Sequence, residues 1–254
     1  MAATTAEFHE PSDMTLARLF VESRLAGGAE APLSEGQAHY LRHVLRRGDG
    51  APLLLFNGRD GEWRAALELR GRKAAVARIG ERTREQEPEP DLWLCFAPVK
   101  RARIDLIAEK ATELGVSCLQ PVLTEHTAVE RVNVERLRAN AVEAAEQCGI
   151  LRLPELHAPE RLQSVIAGWD VARTLIFCDE ASRAGDPLAS LGALSRGPLG
   201  VLVGPEGGFA PDERELLSRQ PFVVAISLGP RVLRADTAAV AALALLNAVL
   251  GDWR

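Results

Sequence analysis

Residues 199–250, LGVLVGPEGGFAPDERELLSRQPFVVAISLGPRVLRADTAAVAALALLNAVL, hold two short apolar runs, each ending in a Gly-Pro turn and each followed by a helical pattern. Leu199–Val203 is too short for most helices, is partly β-branched and stops at Gly204-Pro205, so it reads as a buried strand. Residues 222–228 repeat the design before Gly229-Pro230, and residues 237–250 are apolar on nearly all sides, the pattern of a helix packed against other elements. Two strand ends therefore present glycine-rich backbone side by side. Open α/β sheets bind ligands in the crevice outside the carboxyl ends of their strands. One glycine turn of this kind is ordinary loop chemistry. A pair of them, the second carrying Arg231, Arg234 and Asp236, points to a small-molecule site. Neither loop is a phosphate cradle, because Gly204-Pro-Glu-Gly-Gly is not G-x-G-x-x-G and no Lys-Ser/Thr follows it.

Upstream, the same alternation continues. Residues 175–178 predict a strand with Asp179-Glu180 at its carboxyl end, and residues 92–97 predict another. Pro98-Val-Lys-Arg leads into a helix in which Ile104, Ile107, Ala111 and Leu114 share one face and Gly115 is the cap. Lys100, Arg101 and Arg103 stand at its start, where cations oppose the helix dipole, which points to an anionic partner nearby. Residues 116–122 predict a strand broken by Pro121, and residues 133–148 a helix closed by Gly149. Strands alternating with helices make a mostly parallel α/β sheet, whose strand order the pattern leaves open.

Residues 80–90, GERTREQEPEP, combine charge with two prolines and no apolar period, the composition of a linker. Before it, residues 36–84 hold eleven Lys or Arg against five Asp or Glu, with His39 and His43 besides, although the whole chain carries a formal charge of −5. A basic module on an acidic protein is either a polyanion footprint or a solvated face. It reads as short strands at Pro52–Phe56, residues 62–69 and residues 74–79. The first fifteen residues have neither a basic start nor a hydrophobic stretch, so a frayed tail and a cytoplasmic protein are expected, with no membrane span. Cys95, Cys118, Cys148 and Cys178 stand singly, the spacing of buried thiols and not of a metal site or a disulfide framework.

VGPEGGF at 203–209 and LGPRVLRADTA at 228–238 resemble the two signature loops of the bacterial 16S ribosomal RNA (uracil-N3)-methyltransferases of the RsmE type, in the SPOUT class. Lys100–Gly115, Glu146-Gln-Cys-Gly149, RLFV and HVLRRGDG are similar to that family's other fixed stretches, so the likeness runs from about Arg18 onward. It implies a SPOUT trefoil-knot α/β domain at 91–254, preceded by a tail at 1–17, a small PUA-like β-barrel at 18–84 and a linker at 85–90. It implies a homodimer whose face includes the apolar C-terminal helix, and S-adenosylmethionine as cofactor. Backbone around Leu202, Val203, Gly204, Pro205, Glu206, Gly207, Leu228, Gly229, Val232 and Leu233 would hold that cofactor. Arg234 and Asp236 are the catalytic candidates. Arg18, Arg42, Arg46, Arg47, Lys100 and Arg103 are the candidate contacts to 16S ribosomal RNA or the assembled small subunit. Two positions depart from the family: Asp236 stands where Glu is usual and Ile150 where Arg is usual, with Arg152 two residues on. The alternatives are a SPOUT enzyme for another RNA position and a non-catalytic RNA-binding assembly factor.

Overall fold

The computed structural model describes residues 16–86, 88, 90–129, 131–181 and 186–253, without the side chain of Arg101. Most of the expected tail therefore lies outside the described residues. The chain divides into two compact units, Met1–Glu87 and Pro88–Arg254.

The first unit is built on β1 (Ala17–Phe20), β2 (Glu30–Pro32), β3 (Pro52–Phe56), β4 (Glu62–Arg70) and β5 (Ala74–Arg84), in the order β1-β3-β4-β5-β2. β1 and β3 are parallel and the other pairs antiparallel. Between β2 and β3 lies α1 (Glu35–His39), which continues into a π-helical turn, Tyr40–Val44. Ser34 starts α1 with a capping box, its hydroxyl accepting from the Gln37 amide while Gln37 reaches back to the Ser34 amide. Leu19, Leu41, Leu53, Leu55, Leu67 and Ile79 meet in a core of inward-facing residues. β5 runs to Arg84, so the first part of the charged stretch at 80–90 is strand and not linker. Its backbone partner is β4, where Glu62 lies opposite Arg84, and such a distant partner leaves no mark in the local composition.

The second unit is a parallel sheet of β6 (Leu92–Phe96), β7 (Cys118–Leu123), β8 (Glu155–Leu156), β9 (Glu160–Arg161), β10 (Thr174–Cys178), β11 (Leu199–Val203) and β12 (Val223–Ile226). The order is β12-β10-β11-β6-β7-β8, with β9 also on β7. Its helices are α2 (Arg101–Glu113), α3 (Val134–Cys148), α4 (Leu162–Ala167), α5 (Pro187–Gly192), α6 (Pro211–Ser218) and α7 (Ala235–Val249). Alternate side chains serve the two faces, as the period of a strand requires. Leu92, Leu94, Phe96, Ile176, Val201 and Val203 pack with α2 and α7, whereas Cys95, Phe177 and Leu202 pack with Leu162, Trp169 and Leu217 on the other side. This is a three-layer α/β sandwich.

Pro121 lies inside β7 and does not break it. It falls where the outer neighbour changes from β8, opposite Cys118–Leu119, to β9, opposite Val122–Leu123, so its missing N–H interrupts no continuous ladder. The Gln120 side chain fills the gap, donating 3.0 Å to the Ala158 carbonyl while its Oε1 lies 2.9 Å from His157 Nδ1. α7 is mostly covered by α2, α5, β6 and β11. The single chain thus buries more of this apolar helix than its composition led us to expect. Its buried Asn247 donates 2.8 Å to the carbonyl of Leu114, the last residue of α2's final turn. Cys148, expected to be buried, is exposed at the end of α3; Cys95, Cys118 and Cys178 are buried.

On β11, Gly200 leaves room for Trp169, whose ring would lie 2.7 Å from any β-carbon there. Trp169 is in turn fixed by its indole N–H donating 2.9 Å to the Arg173 carbonyl. Gly200→Val overpacks this contact, and we expect a loss of about 1–3 kcal/mol. A lower urea midpoint with an unchanged slope is the measurement that checks it.

Candidate functional site

β10, β11 and β12 are adjacent and parallel, so their carboxyl ends open on one side of the sheet. A cavity of about 280 Å³ lies there, lined by Cys178, Asp179 and Glu180 after β10, Val203–Gly208 after β11, and Leu228, Gly229, Arg231, Val232 and Leu233 after β12, with Ala235 and Ala238 of α7. Nine of the ten residues expected to hold a ligand line it. Leu202 does not: it is 1% exposed, points into the opposite core layer and has neighbouring strands on both sides. Cys178 is part of the wall, but burial pushes its thiol up to about 12, so it stays protonated. Among the described residues no cluster of three or more His, Cys, Asp or Glu could hold a metal ion.

The loop after β11 is braced from several directions. Phe209 packs edge-on against Phe177 at 4.9 Å between ring centres, and a β-carbon at Gly204 would run into the Phe209 ring. Gly204 is thus required by packing within the loop. Gly208 has φ +69° and abuts the Glu180 carboxylate. Glu213, 3% exposed on α6, accepts from the Ala210 amide at 3.0 Å and from the Glu125 amide at 2.9 Å, joining this loop to the one after β7. From that second loop His126 Nδ1 reaches the carbonyls of Gly207 and Gly208 at 3.0 and 3.2 Å, contacts that make Nδ1 the protonated donor. Arg214 pairs with Asp179 and, at 2.6 Å, with Glu180, and it donates 3.1 Å to the Phe209 carbonyl. Glu213, His126 and Arg214 were not singled out from the sequence. Of the three, only Glu213 had a local signal, as an acid three residues after the N-cap of a Pro-led helix.

The loop after β12 is bare by comparison. Gly229 has φ +102° and open space where a β-carbon would point. Among the described residues, the amides of Leu228, Gly229, Arg231, Val232 and Leu233 donate to no backbone group. Arg103 of α2 bridges the first loop and the first turn of α7, 2.7 Å from Glu206 and 4.0 Å from Asp236. For Arg103 the anionic partners near the start of α2 are thus internal, and Asp236 faces Arg103 rather than Arg234. Arg234 is the exposed N-cap of α7 and makes no ion pair among the described residues.

The remaining candidates for RNA contacts divide. Lys100, Arg46 and Arg47 are exposed. Arg42 is fastened by its guanidinium to the carbonyls of Gly71, at 3.0 Å, and Arg72. Arg18 is a correction: its side chain is 11% exposed, sits 2.7 Å from Glu62 and covers the Phe56 ring, so a buried ion pair occupies the charge expected for a phosphate.

These contacts separate the two glycines. Gly204→Ala is expected to displace Phe209 and lower the melting temperature by several degrees. Gly229→Ala meets no atom and bears only the cost of a left-handed backbone, about 1–2 kcal/mol. Thermal melts of both variants, followed by near-ultraviolet circular dichroism, check the ranking.

Similarity to known proteins follows both units. An RNA methyltransferase domain model matches residues 85–247, and an RNA methyltransferase PUA domain model matches residues 33–80. The ribosomal RNA small subunit methyltransferase E of Rickettsia conorii is 32% identical over 229 residues, covering 89% of this chain and 93% of that protein. The protein of the same name from Synechocystis is 34% identical over 242 residues, covering 92% and 78%. Among solved structures, the small subunit methyltransferase E of Neisseria gonorrhoeae, bound to S-adenosyl methionine, matches with a TM-score of 0.84 at 26% identity over 94% of this chain and 100% of that one. A Legionella pneumophila methyltransferase in complex with the same cofactor matches with a TM-score of 0.81 at 30% identity over 92% and 97%. With a PUA-like unit before a SPOUT α/β unit, and with likeness to those enzymes along nearly its whole length, the chain belongs to the ribosomal RNA small subunit methyltransferase E family of RNA methyltransferases.

Proposed function

We propose that this protein transfers a methyl group from S-adenosylmethionine to N3 of a uridine in the 16S ribosomal RNA of the small subunit. The observation that carries the reading is the crevice of two glycine loops at adjacent strand ends, one rigidly braced and the other with backbone amides left to meet a ligand. The cavity suits the cofactor. Its walls are backbone and aliphatic side chains, which read the edge of an adenine ring without charge, and the carboxylates of Asp179, Glu180 and Glu206 suit a cationic sulfonium. Val203–Gly207, Leu228, Gly229, Val232 and Leu233 are the residues assigned to holding it. When bound, the cofactor supplies an electrophilic methyl group.

The chain's own task is to make N3 of uracil a nucleophile. Loss of the N3 proton spreads negative charge over the ring and its carbonyl oxygens, and a guanidinium beside it stabilises that charge more than the neutral substrate. Arg234 is assigned this role, its charge free of any internal ion pair among the described residues. Asp236 or solvent hydroxide takes the proton. In Asp236 the carboxylate is 14% exposed and faces Arg103, so Arg103 also orients it.

The division of labour we assign is a PUA-like RNA-holding unit at 18–84, a linker at 85–90 and the methyltransferase unit at 91–254. Arg42, Arg46, Arg47 and Lys100 are assigned to RNA. No described helix is long and apolar enough to cross a membrane, and a ribosomal substrate puts the protein in the cytoplasm. Two copies are proposed to pair through the outer face of α7 and the adjoining loop, where Val240 is 37% and Val232 81% exposed.

Arg234→Ala is expected to slow single-turnover methyl transfer to small subunits by about a hundredfold or more while cofactor affinity stays within a few-fold. Arg234→Lys recovers part of the rate, keeping the charge and losing the planar fork. Transfer at near-normal rate in Arg234→Ala would remove the residue from the mechanism, and mapping the methylated nucleotide tests the position. Val240→Glu is expected to shift the protein toward monomer in sedimentation velocity.

A further inference from the structure

The first unit holds two populations of cations. On the sheet they are neutralised: Arg70 pairs with Glu30 and Glu68, Arg78 with the same two carboxylates, Arg82 with Glu85 and Arg18 with Glu62. The pairing holds the Glu68 carboxyl below its ordinary range, chiefly through hydrogen bonds from Arg78 and Arg70. Between α1 with its π-helical turn and the β4–β5 turn the situation reverses. A cavity of about 820 Å³ is lined there by His39, Arg42, His43, Arg72 and Lys73 against one carboxylate, Glu35. Among the described residues, none of His39, His43, Arg72 and Lys73 makes an ion pair. The guanidinium of Arg42 is locked to two carbonyls of the β4–β5 turn, so its charge is held in place without being cancelled. The His39 and His43 rings, one helical turn apart, lie 4.7 Å from each other at the mouth formed by the same helix.

A second observation comes from the turn that ends this helix. Leu45 N–H donates to the Tyr40 carbonyl at 3.0 Å and Arg47 N–H to the Leu41 carbonyl at 2.8 Å, which closes the helix around Arg46 in the left-handed conformation, φ +52°. That position favours glycine. An arginine there is a local cost to folding, and backbone strain of this kind is found where a side chain is kept for function.

We infer that this cleft seats the phosphodiester backbone of a ribosomal RNA strand, with Arg72, Lys73 and Arg42 on phosphates, the two imidazoles beside the sugar or base, and Arg46 extending the contact past the helix. The inference rests on the reading of the chain as a ribosomal RNA methyltransferase, which supplies the polyanion. It adds His39, His43, Arg72 and Lys73 to the RNA-contacting residues, and it separates them from the neutralised arginines of the sheet. Concave shape, uncancelled charge and two flat rings are the chemistry of a groove that follows a strand, since phosphates give affinity and rings stack on exposed bases.

The test uses the full chain and a fluorescent small-subunit ribosomal RNA transcript, titrated at several salt concentrations. Arg72→Ala/Lys73→Ala and His39→Gln/His43→Gln are compared with Arg70→Ala/Arg78→Ala, and cofactor affinity is measured by calorimetry in each. Loss of two phosphate contacts should weaken RNA binding roughly tenfold and flatten the slope of log affinity against log salt by about 1–2. His39→Gln/His43→Gln should weaken binding with little change of slope, and the sheet variant should bind within about twofold of the parent by the same reasoning. Cofactor affinity should be unchanged throughout. Arg46→Gly should raise the melting temperature while lowering RNA affinity, opposite shifts that a purely structural residue does not give. The proposal is overturned if Arg72→Ala/Lys73→Ala keeps both affinity and salt slope with cofactor binding intact, or if the sheet variant loses as much. A parent chain that binds cofactor but no ribosomal RNA at low salt would remove the functional reading itself, and the cleft's role with it.

Discussion

The carboxylate of Glu213 is the constraint on which the crevice depends. Buried on α6, it accepts the amides of Ala210 and Glu125, residues that belong to loops following two different strands, β11 and β7. A buried carboxylate is tolerated only with such partners, and its removal leaves two amides without acceptors. His126, carried on the loop that Glu213 holds, then closes on the carbonyls of Gly207 and Gly208. The first glycine loop owes its shape to this set of contacts together with the left-handed backbone of Gly208.

The second loop has the opposite character. It owes its path to the ends it joins, β12 and the N-terminus of α7, where Arg103 faces Asp236, while among the described residues the amides of Leu228, Gly229, Arg231, Val232 and Leu233 donate to no backbone group. A rigid wall facing an undersupplied one is an economical way to recognise a flat heterocycle. The braced side fixes position, and the open side supplies donors that gain partners only when a ligand arrives. The carboxylates at the rim are themselves restrained by Arg214, so their charge is directed without being left unbalanced.

The elements with a local pattern were legible in the sequence. β11, β6 and β3 read as apolar runs ended by Gly, Pro or Asn, β10 as one ended by Asp179-Glu180, and α3 is bounded by Asn133 and by Gly149 at φ +74°, as its sequence announced. Nine of the ten ligand-loop positions line the cavity because glycine and proline mark strand ends directly. Several of the failures involve a distant partner. Arg18 looks like any surface arginine until Glu62 is brought beside it, β5 outruns its apolar pattern because β4 continues to pair with it, and Pro121 is harmless only because two short strands share the edge of β7. β1, β2, β8 and β9 have two to four residues each, too few to show a period. The bracing residues His126 and Arg214 were invisible for the same reason, since their partners lie 81 and 35 positions away.

The bond from Asn247 to the Leu114 carbonyl joins positions 133 apart, and it fixes a temporal order as well as a spatial one. The sheet face that carries Leu94, Phe96 and Val201 is sealed by α7, which follows every strand of that sheet in the chain. Until that helix exists, the nascent chain carries an uncovered apolar layer and an α2 whose final carbonyl lacks its side-chain donor. Contacts this remote must wait for loop closure before they repay its entropy. The decisive step in folding of the second unit therefore waits for α7, and a chaperone that shields apolar strands has its period of use between the emergence of β11 and the docking of α7.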